Sequence, residues 1–392
     1  MNAPKSRVQS VDALRGLVMI IMALDHLRES FHAGAMTFSP EDLSRTTAAI
    51  FFTRWITHLC APVFMFTTGI GAFFWMSRGH TARELGAFLW KRGLWLIVLE
   101  FTVFRLAMFF SLTSGPVLLV VLWALGCSMI ALGLLAHLPV RVLAVLSIAV
   151  ILLHNLADGV RASSFGAAAG VWNVLHQPGV FHLGSLVVRA VYPLVPWIAV
   201  MSAGFCFGTV LTWDVEQRRR WMIRLGCGMT IAFLVLRWIN IYGDPQRWSA
   251  QIPGTVVLSF LKCTKYPPSL DFLLMTLGPA LLLLAWLDGV KLSRTNPLIV
   301  FGRVPLFYFI LHFCALRLLT IPFAWWRYGT ASFLFEPAPS MGGTAIMYPP
   351  GYGYDLWAVY LLWIGLVAAL YPVCLWYSRL KERRRDWWLN YL

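Results

Sequence analysis

Ser10 to Ser30 reads S-V-D-A-L-R-G-L-V-M-I-I-M-A-L-D-H-L-R-E-S, and its unbroken apolar run extends only from Gly16 to Leu24. That run is about half of the roughly 20 residues that a membrane-spanning helix needs. A helix long enough to cross must therefore hold Arg15, Asp25 and His26 inside or at the edge of the bilayer. Ionisable groups are costly there, so they normally face a bundle interior or a wet cavity and mark function. Arg15 and His26 stand eleven positions apart. At about 3.6 residues per turn that is roughly three turns, which brings both side chains to within about 20° of one face and sets them about 16 Å apart along the axis.

The whole chain agrees with that environment. Of its 392 residues 59% are hydrophobic and 12% charged, against roughly 25% charged in a soluble domain. This composition predicts an all-α polytopic membrane protein. The net charge of +15, from 32 Lys and Arg less 17 Asp and Glu, would suggest nucleic acid in a soluble chain. Here the cations collect in short connections between apolar runs, where they act as topology signals and contacts for anionic lipids, and no nucleic-acid partner is expected. The seven cysteines are scattered, with no C-x-x-C spacing, and read as inert packing. A cleavable signal is not expected, because D-H-L-R-E follows the first apolar run where small residues should stand.

Apolar runs near or above spanning length fall at about 11–29, 50–76, 87–109, 116–136, 139–155, 186–211, 222–242, 268–288, 298–324 and 354–378. They predict one integral-membrane domain over residues 1–392, a bundle of about ten transmembrane helices. With the connections numbered alternately, one side collects Lys5, Arg7, Arg78, Arg83, Lys91, Arg92, Arg141, Arg218, Arg219, Arg220, Arg224, Lys291, Arg294, Arg379, Lys381, Arg383, Arg384 and Arg385. The other side is poorer in Lys and Arg, so the positive-inside rule places both termini in the cytoplasm. Long connections at about 30–49, 156–185, 243–267 and 325–353 all fall on the opposite side. Long loops tend to carry function, so that outer face is where an acceptor is expected to be gripped. It holds Trp172, Trp248, Trp325, Trp326, Tyr328, Tyr348, Tyr352 and Tyr354. An interfacial aromatic belt is the simpler reading of these residues and a sugar-stacking platform the sharper one.

Counting along each helix gives depth. His26 falls near the outer end of the first helix. Arg54 and His58, one turn apart on one face, lie in the outer half of the second. In the ninth, Arg303 lies in the inner part and His312 at middle to outer depth. For His58 and His312 a hydrogen-bonded interior histidine is the simpler reading, whereas His26 shares its face with Arg15 and reads as functional. A convergence of His26, His58 and His312 would make a catalytic site. No H-E-x-x-H or similar spacing occurs, so no metal is expected. G-x-S-x-G and Walker loops are absent as well.

Arg15, ten intervening residues and His26 match the R-x10-H pattern of integral-membrane acyltransferases that modify surface polysaccharides. Four stretches widen the match: R-V-Q-S-V-D-A-L-R-G-L (7–17), T-H-L-C-A-P-V-F-M-F-T-T-G-I-G-A-F-F (57–74), K-Y-P-P-S-L (265–270) and F-G-R-V-P-L-F-Y (301–308). Over about residues 7–320 the chain resembles the bacterial relatives of heparan-α-glucosaminide N-acetyltransferase, within the transmembrane acyltransferase superfamily. The resemblance implies N- or O-acetyl transfer from cytoplasmic acetyl-CoA to a sugar or glycoconjugate acceptor across a bacterial cytoplasmic (inner) membrane. The animal enzyme's own histidine-bearing loop does not align here, so the catalytic role comes to His26 from the R-x10-H pattern.

The residues suit that chemistry. Attack on a thioester by an amine or hydroxyl needs a general base near the acceptor, and an imidazole titrating near neutrality serves. Coenzyme A has its phosphates at one end and its thioester at the other, which matches a cationic inner mouth with an imidazole further out. Arginine makes bidentate phosphate contacts, so Arg15 and Arg303 are expected to hold the donor. Asp12, three residues before Arg15, is expected to pair with it, and Asp25 lies off the face of His26. Membrane lipids, acyl-CoA and the acceptor are the expected partners, and homo-oligomerisation is left open. A transporter of a lipid-linked or small anionic molecule is the rival reading. Against it stands the lack of a visible inverted repeat.

Overall fold

The computed structural model describes residues 8–112, 115–335, 348–384, 386 and 389, so the expected cytoplasmic cations Lys5, Arg7 and Arg385 lie outside the described residues. Among the described residues ten helical rods follow one another. They are α1 (Gln9–Phe31), α2 (Ala48–Met76, with a 3-10 step at Thr57–Leu59), α3 (82–109, comprising Ala82–Leu99, a π turn at Glu100–Phe104 and Arg105–Phe109) and α4 (Val121–Leu135). Then come α5 (Val140–Ala157), α6 (Leu194–Thr212), α7 (Val215–Ile239), α8 (Leu270–Leu287), α9 (297–328, Pro297–Arg303 and Pro305–Tyr328 meeting at Val304) and α10 (Leu356–Arg383).

Local chemistry sets the ends. Thr47, Asp214, Ser269 and Asn296 accept from the first free backbone N–H groups of α2, α7, α8 and α9, and Thr81 with Glu84 forms a capping box on α3. Asn240 and Gly329 end α7 and α9 in the left-handed conformation. The start of α4 has no local cap, and the Glu100 carboxylate of α3 accepts from Leu122 and Trp123 N–H instead, at 2.9 and 3.2 Å.

Seven helices, within α2 and α5 to α10, are long and apolar enough to cross a membrane. The remaining three fall short for separate reasons: α1 carries Asp12, Arg15, Asp25, Arg28 and Glu29, α3 is charged and interrupted by its π turn, and α4 has 15 residues. All ten pack in one bundle whose outward faces are apolar. Val145 on α5 is 67% exposed and Trp238 on α7 74% exposed, as expected where the solvent is lipid.

Contacts between ends show that the rods alternate in direction. On the face where α1 begins, Arg218 grips Asp288 through two bonds of 2.8 and 3.0 Å, Ser10 donates to Asp288 at 3.0 Å, Gln9 donates to the Leu292 carbonyl and Arg303 pairs with Glu382. On the face where α1 ends, Tyr354 N–H donates to the Phe31 carbonyl at 2.6 Å, Leu270 N–H to Asn155 Oδ1 at 2.9 Å, and His154 Nε2 to the Pro268 carbonyl at 2.9 Å. These are called the Gln9 face and the Phe31 face below.

The all-α expectation needs one correction. On the Phe31 face β1 (Val117–Leu119), β2 (Gly179–Leu183) and β3 (Leu186–Ala190) form a sheet in the order β1-β3-β2, parallel between β1 and β3 and antiparallel between β3 and β2. The apolar runs at 116–136 and 186–211 thus each begin as a strand. Hydrophobicity alone cannot separate a strand from a helix, and in the second run Pro193 delays the helix to Leu194.

Helices α1 and α9 approach as closely as backbones can. A Cβ added at Gly16 would overlap the Leu298 carbonyl, and one at Gly302 the Asp12 carbonyl. Small residues permit such crossings in membrane bundles. Since Gly16 follows Arg15 and Gly302 precedes Arg303, this contact also fixes where the two arginines leave their helices.

Candidate active site

Val8, which precedes α1, and Val11, Asp12, Arg15, Met19 and Met22 of α1 line one cavity of about 570 Å³. They recur at steps of three and four, so they form one helical face. The next position on that face is His26. Other walls run in the same sense from mouth to depth. Along α2 and the turn after it they pass from Arg78 to Phe64, in α3 from Phe88 and Arg92 to Leu96, in α4 from Met129 to Val121, and in α9 from Arg303 to Phe309. Lys381 of α10 completes the mouth. The cavity therefore has a basic end on the Gln9 face and an apolar end formed by Met22, Phe64, Leu96, Leu122 and Phe309, one turn short of His26.

Both arginines expected to bind an anion lie on this wall. Arg15 is held halfway down, donating to the Thr67 carbonyl at 3.2 Å, to Thr67 Oγ1, Asp12 and the Gly302 carbonyl at 3.4 Å each. The expected Asp12 pairing is thus present. Arg303, at the end of the first segment of α9, pairs with Glu382 near the mouth. Arg78, Arg92 and Lys381 add to the basic wall. Arg78 and Lys381 stand in a connection and a helix end that the charge count assigned to one side, whereas Arg92 lies about three turns inside α3.

Beyond the apolar end two of the three histidines meet. His26 Nδ1 lies 2.8 Å from His312 Nε2, with the rings 14° from parallel. His312 is fully buried, and its Nδ1 lies 3.0 Å from the Tyr308 carbonyl. A carbonyl only accepts, so His312 Nδ1 carries the proton and, in the neutral ring, Nε2 offers its lone pair. That lone pair accepts from His26 Nδ1–H. The tautomer of His26 is fixed in turn, leaving its Nε2 lone pair as the basic site on a half-buried ring.

His58 is placed elsewhere. It stands in the 3-10 step of α2, with Nε2 at 3.4 Å from a Glu41 carboxylate oxygen and its ring 5.2 Å from that of Phe272. The Glu41 approach is too poorly aligned for a hydrogen bond, and neither ring nitrogen has a hydrogen-bond partner among the described residues. Arg54, one turn before it, pairs instead with Asp25, which also accepts from Arg28 at 3.1 Å. Glu29 joins the group at 3.5 Å from Arg28 and 4.0 Å from Arg54. Asp25 is therefore engaged with two arginines.

The aromatic residues of the Phe31 face divide. Trp248 is tied into the fold, its Nε1–H donating to the Arg237 carbonyl at 2.7 Å. Trp325 and Trp326 belong to the last turn of α9 rather than to a loop and are 60% and 81% exposed, in keeping with a belt. Tyr348 and Tyr352 pack with Tyr328 and Phe333.

A family model described as heparan-alpha-glucosaminide N-acetyltransferase, catalytic, matches residues 7–240, more than half of the chain. Among individually curated proteins none matches it significantly. The matched region holds Arg15, His26 and His58, the cavity walls from α1 to α4, and the π turn. Arg303 and His312 come from beyond it and complete the same cavity and the same histidine pair. With its apolar helices and this match the chain is an integral membrane protein of acetyltransferase kind, and it belongs to the heparan-alpha-glucosaminide N-acetyltransferase catalytic family.

Proposed function

We propose that the protein moves an acetyl group from acyl-CoA, entering at the basic mouth on a cytoplasmic Gln9 face, to a sugar or similar acceptor that meets His26 from the extracytoplasmic Phe31 face. All ten rods then cross a bacterial cytoplasmic membrane and both termini are cytoplasmic. One observation carries the reading: the cavity face of α1 is continuous from Val8 through Arg15 and Met22 to His26, with cations at one end and a histidine pair at the other. A CoA thioester has that order of chemistry along its length. Its phosphates meet Arg303, Arg78, Arg92 and Lys381, its pantetheine arm passes Arg15, and its thioester reaches the apolar end.

In the reaction His26 Nε2 removes the proton of the acceptor hydroxyl or amine as that atom attacks the thioester carbonyl. The tetrahedral intermediate collapses with cleavage of the C–S bond, and the imidazolium returns its proton to the departing thiolate. His312 orients His26 through the Nδ1–H···Nε2 bond and helps to stabilise the transient cation.

Transfer of label from radiolabelled acetyl-CoA to glucosamine, by purified protein in liposomes, tests the activity. Arg15→Ala should raise the KM for acetyl-CoA roughly ten- to hundredfold with little loss of kcat, since a charged hydrogen-bonded contact is worth about 1.5–3 kcal/mol and serves ground and transition states alike. Arg15→Lys should recover part of this, an ammonium lacking the planar fork. An unchanged KM in folded Arg15→Ala removes Arg15 from the donor site. Sidedness has its own test. Reporter fusions near Arg219 and Lys381 should read cytoplasmic and one near His176 extracytoplasmic. A cytoplasmic signal at His176 would reverse the proposed orientation.

A further inference from the structure

We propose that Phe309 sets the length of acyl chain that the donor can carry; the inference rests on the reading of the cavity as an acyl-CoA site. Phe309 is the deepest α9 side chain on the cavity wall and is 6% exposed. Its ring stands edge-on to His26, with centroids 6.5 Å apart and planes at 85°, and 5.6 Å from the ring of His312 at 71°. It therefore forms a side wall at the end of the cavity and also touches the histidine pair.

The ring has little room to retreat. Phe104 stacks on it at 5.7 Å and 22°, and Phe313 lies 5.2 Å away while contacting His26 at 4.2 Å. Phe104 meets Phe313 edge-on at 4.8 Å, so the three rings back one another. Phe104 ends the π turn of α3, whose first residue, Glu100, is bonded to the start of α4. Extra residues in π turns re-aim side chains, and here the turn delivers Phe104 to the back of Phe309.

A thioester sulfur at the level of Met22 puts the acyl group against Phe309. An acetyl group adds only a methyl beyond the carbonyl and fits beside the ring edge. A longer alkyl chain must displace a ring backed by two others, and close-packed interiors resist that. Removing the ring opens apolar space continuous with the cavity, where each additional methylene gains about fourfold in affinity.

Calorimetric binding of acetyl-, butyryl- and hexanoyl-CoA to detergent-purified protein decides the matter without requiring turnover. The parental protein should bind progressively less well as the chain lengthens. Phe309→Ala should reverse the order, raising the hexanoyl-to-acetyl affinity ratio roughly tenfold or more over the parental ratio. Phe309→Leu, which keeps an apolar branched side chain and protects the fold, should fall between. A parental length profile in folded Phe309→Leu and Phe309→Ala would overturn the role of Phe309 while leaving the donor site intact. Failure of the parental protein to bind any CoA ester would overturn the donor site and this inference together.

Discussion

Folded His26→Ala protein should still bind acetyl-CoA and should transfer acetyl groups roughly 10²- to 10⁴-fold more slowly, the loss typical of a missing general base. The expectation follows from where the proton can go. His312 Nδ1 is committed to the Tyr308 carbonyl and His312 Nε2 to His26, so the lone pair left to meet an acceptor is His26 Nε2. A group that acts only in the chemical step lowers kcat and leaves KM for the donor near its parental value. Changing His312 should cost less, because it acts through His26. His312→Gln retains an amide oxygen able to accept from His26 Nδ1–H and should keep more activity than His312→Ala. Steady-state kinetics with labelled acetyl-CoA, on protein shown to be monodisperse, provide the check. Parental kcat in His26→Ala would move the base elsewhere and leave the histidine pair as a packing contact.

Much of the bundle was legible because lipid imposes length. Every expected apolar run overlaps one of the ten rods, and Asp214 and Asn296, which fall between runs, cap α7 and α9. Hydropathy failed where a run is apolar for another reason. Leu186 to Ala190 is hydrophobic as part of a small sheet, and composition cannot reveal a partner strand roughly seventy residues away in β1. Likewise α9 reaches Tyr328, since Trp325 and Trp326 are tolerated at a helix end in an interfacial belt as readily as in a loop.

The candidate site was legible along one helix and obscure between helices. The 3.6-residue repeat alone places Arg15 and His26 on a common face, and Met19 and Met22 fill the cavity wall between them. Depth counting put His26, His58 and His312 at similar levels but carries no angular information about neighbouring helices. That angle sends His312 to His26, and His58 to Glu41 and Phe272. Phe309 and the π turn gave no sequence signal, because one phenylalanine in a phenylalanine-rich helix reads as lipid contact. The Asp25–Arg54 pair was hidden for a related reason: Arg54 was grouped with His58 by spacing, whereas its charge finds the buried carboxylate of another helix.

That pair predicts a second large effect, on stability. Asp25 and Arg54 side chains are 9% and 11% exposed, and Arg28 on the same carboxylate is 3% exposed. Two carboxylates, Asp25 and Glu29, face two guanidiniums, so the group is balanced in charge. Asp25→Ala leaves the two arginines with the half-exposed Glu29 as their ion-pair partner among the described residues and should destabilise the fold by roughly 3–5 kcal/mol, the range for removing one partner of a buried ion pair. Most of that cost is the uncompensated charge rather than the lost attraction, so removing a cation as well should relieve it. Asp25→Ala combined with Arg54→Met retains the Arg28–Glu29 contact and restores the balance, and it should be more stable than Asp25→Ala alone. Thermal unfolding in detergent, for the parent, both single variants and the double variant, measures the coupling directly. If the losses of Asp25→Ala and Arg54→Met simply add, the cluster is not a charge-compensated unit. Should Asp25→Ala keep parental stability yet lose acetyl transfer, Asp25 acts in the chemistry, and its contacts with Arg28 and Arg54 position it for that role.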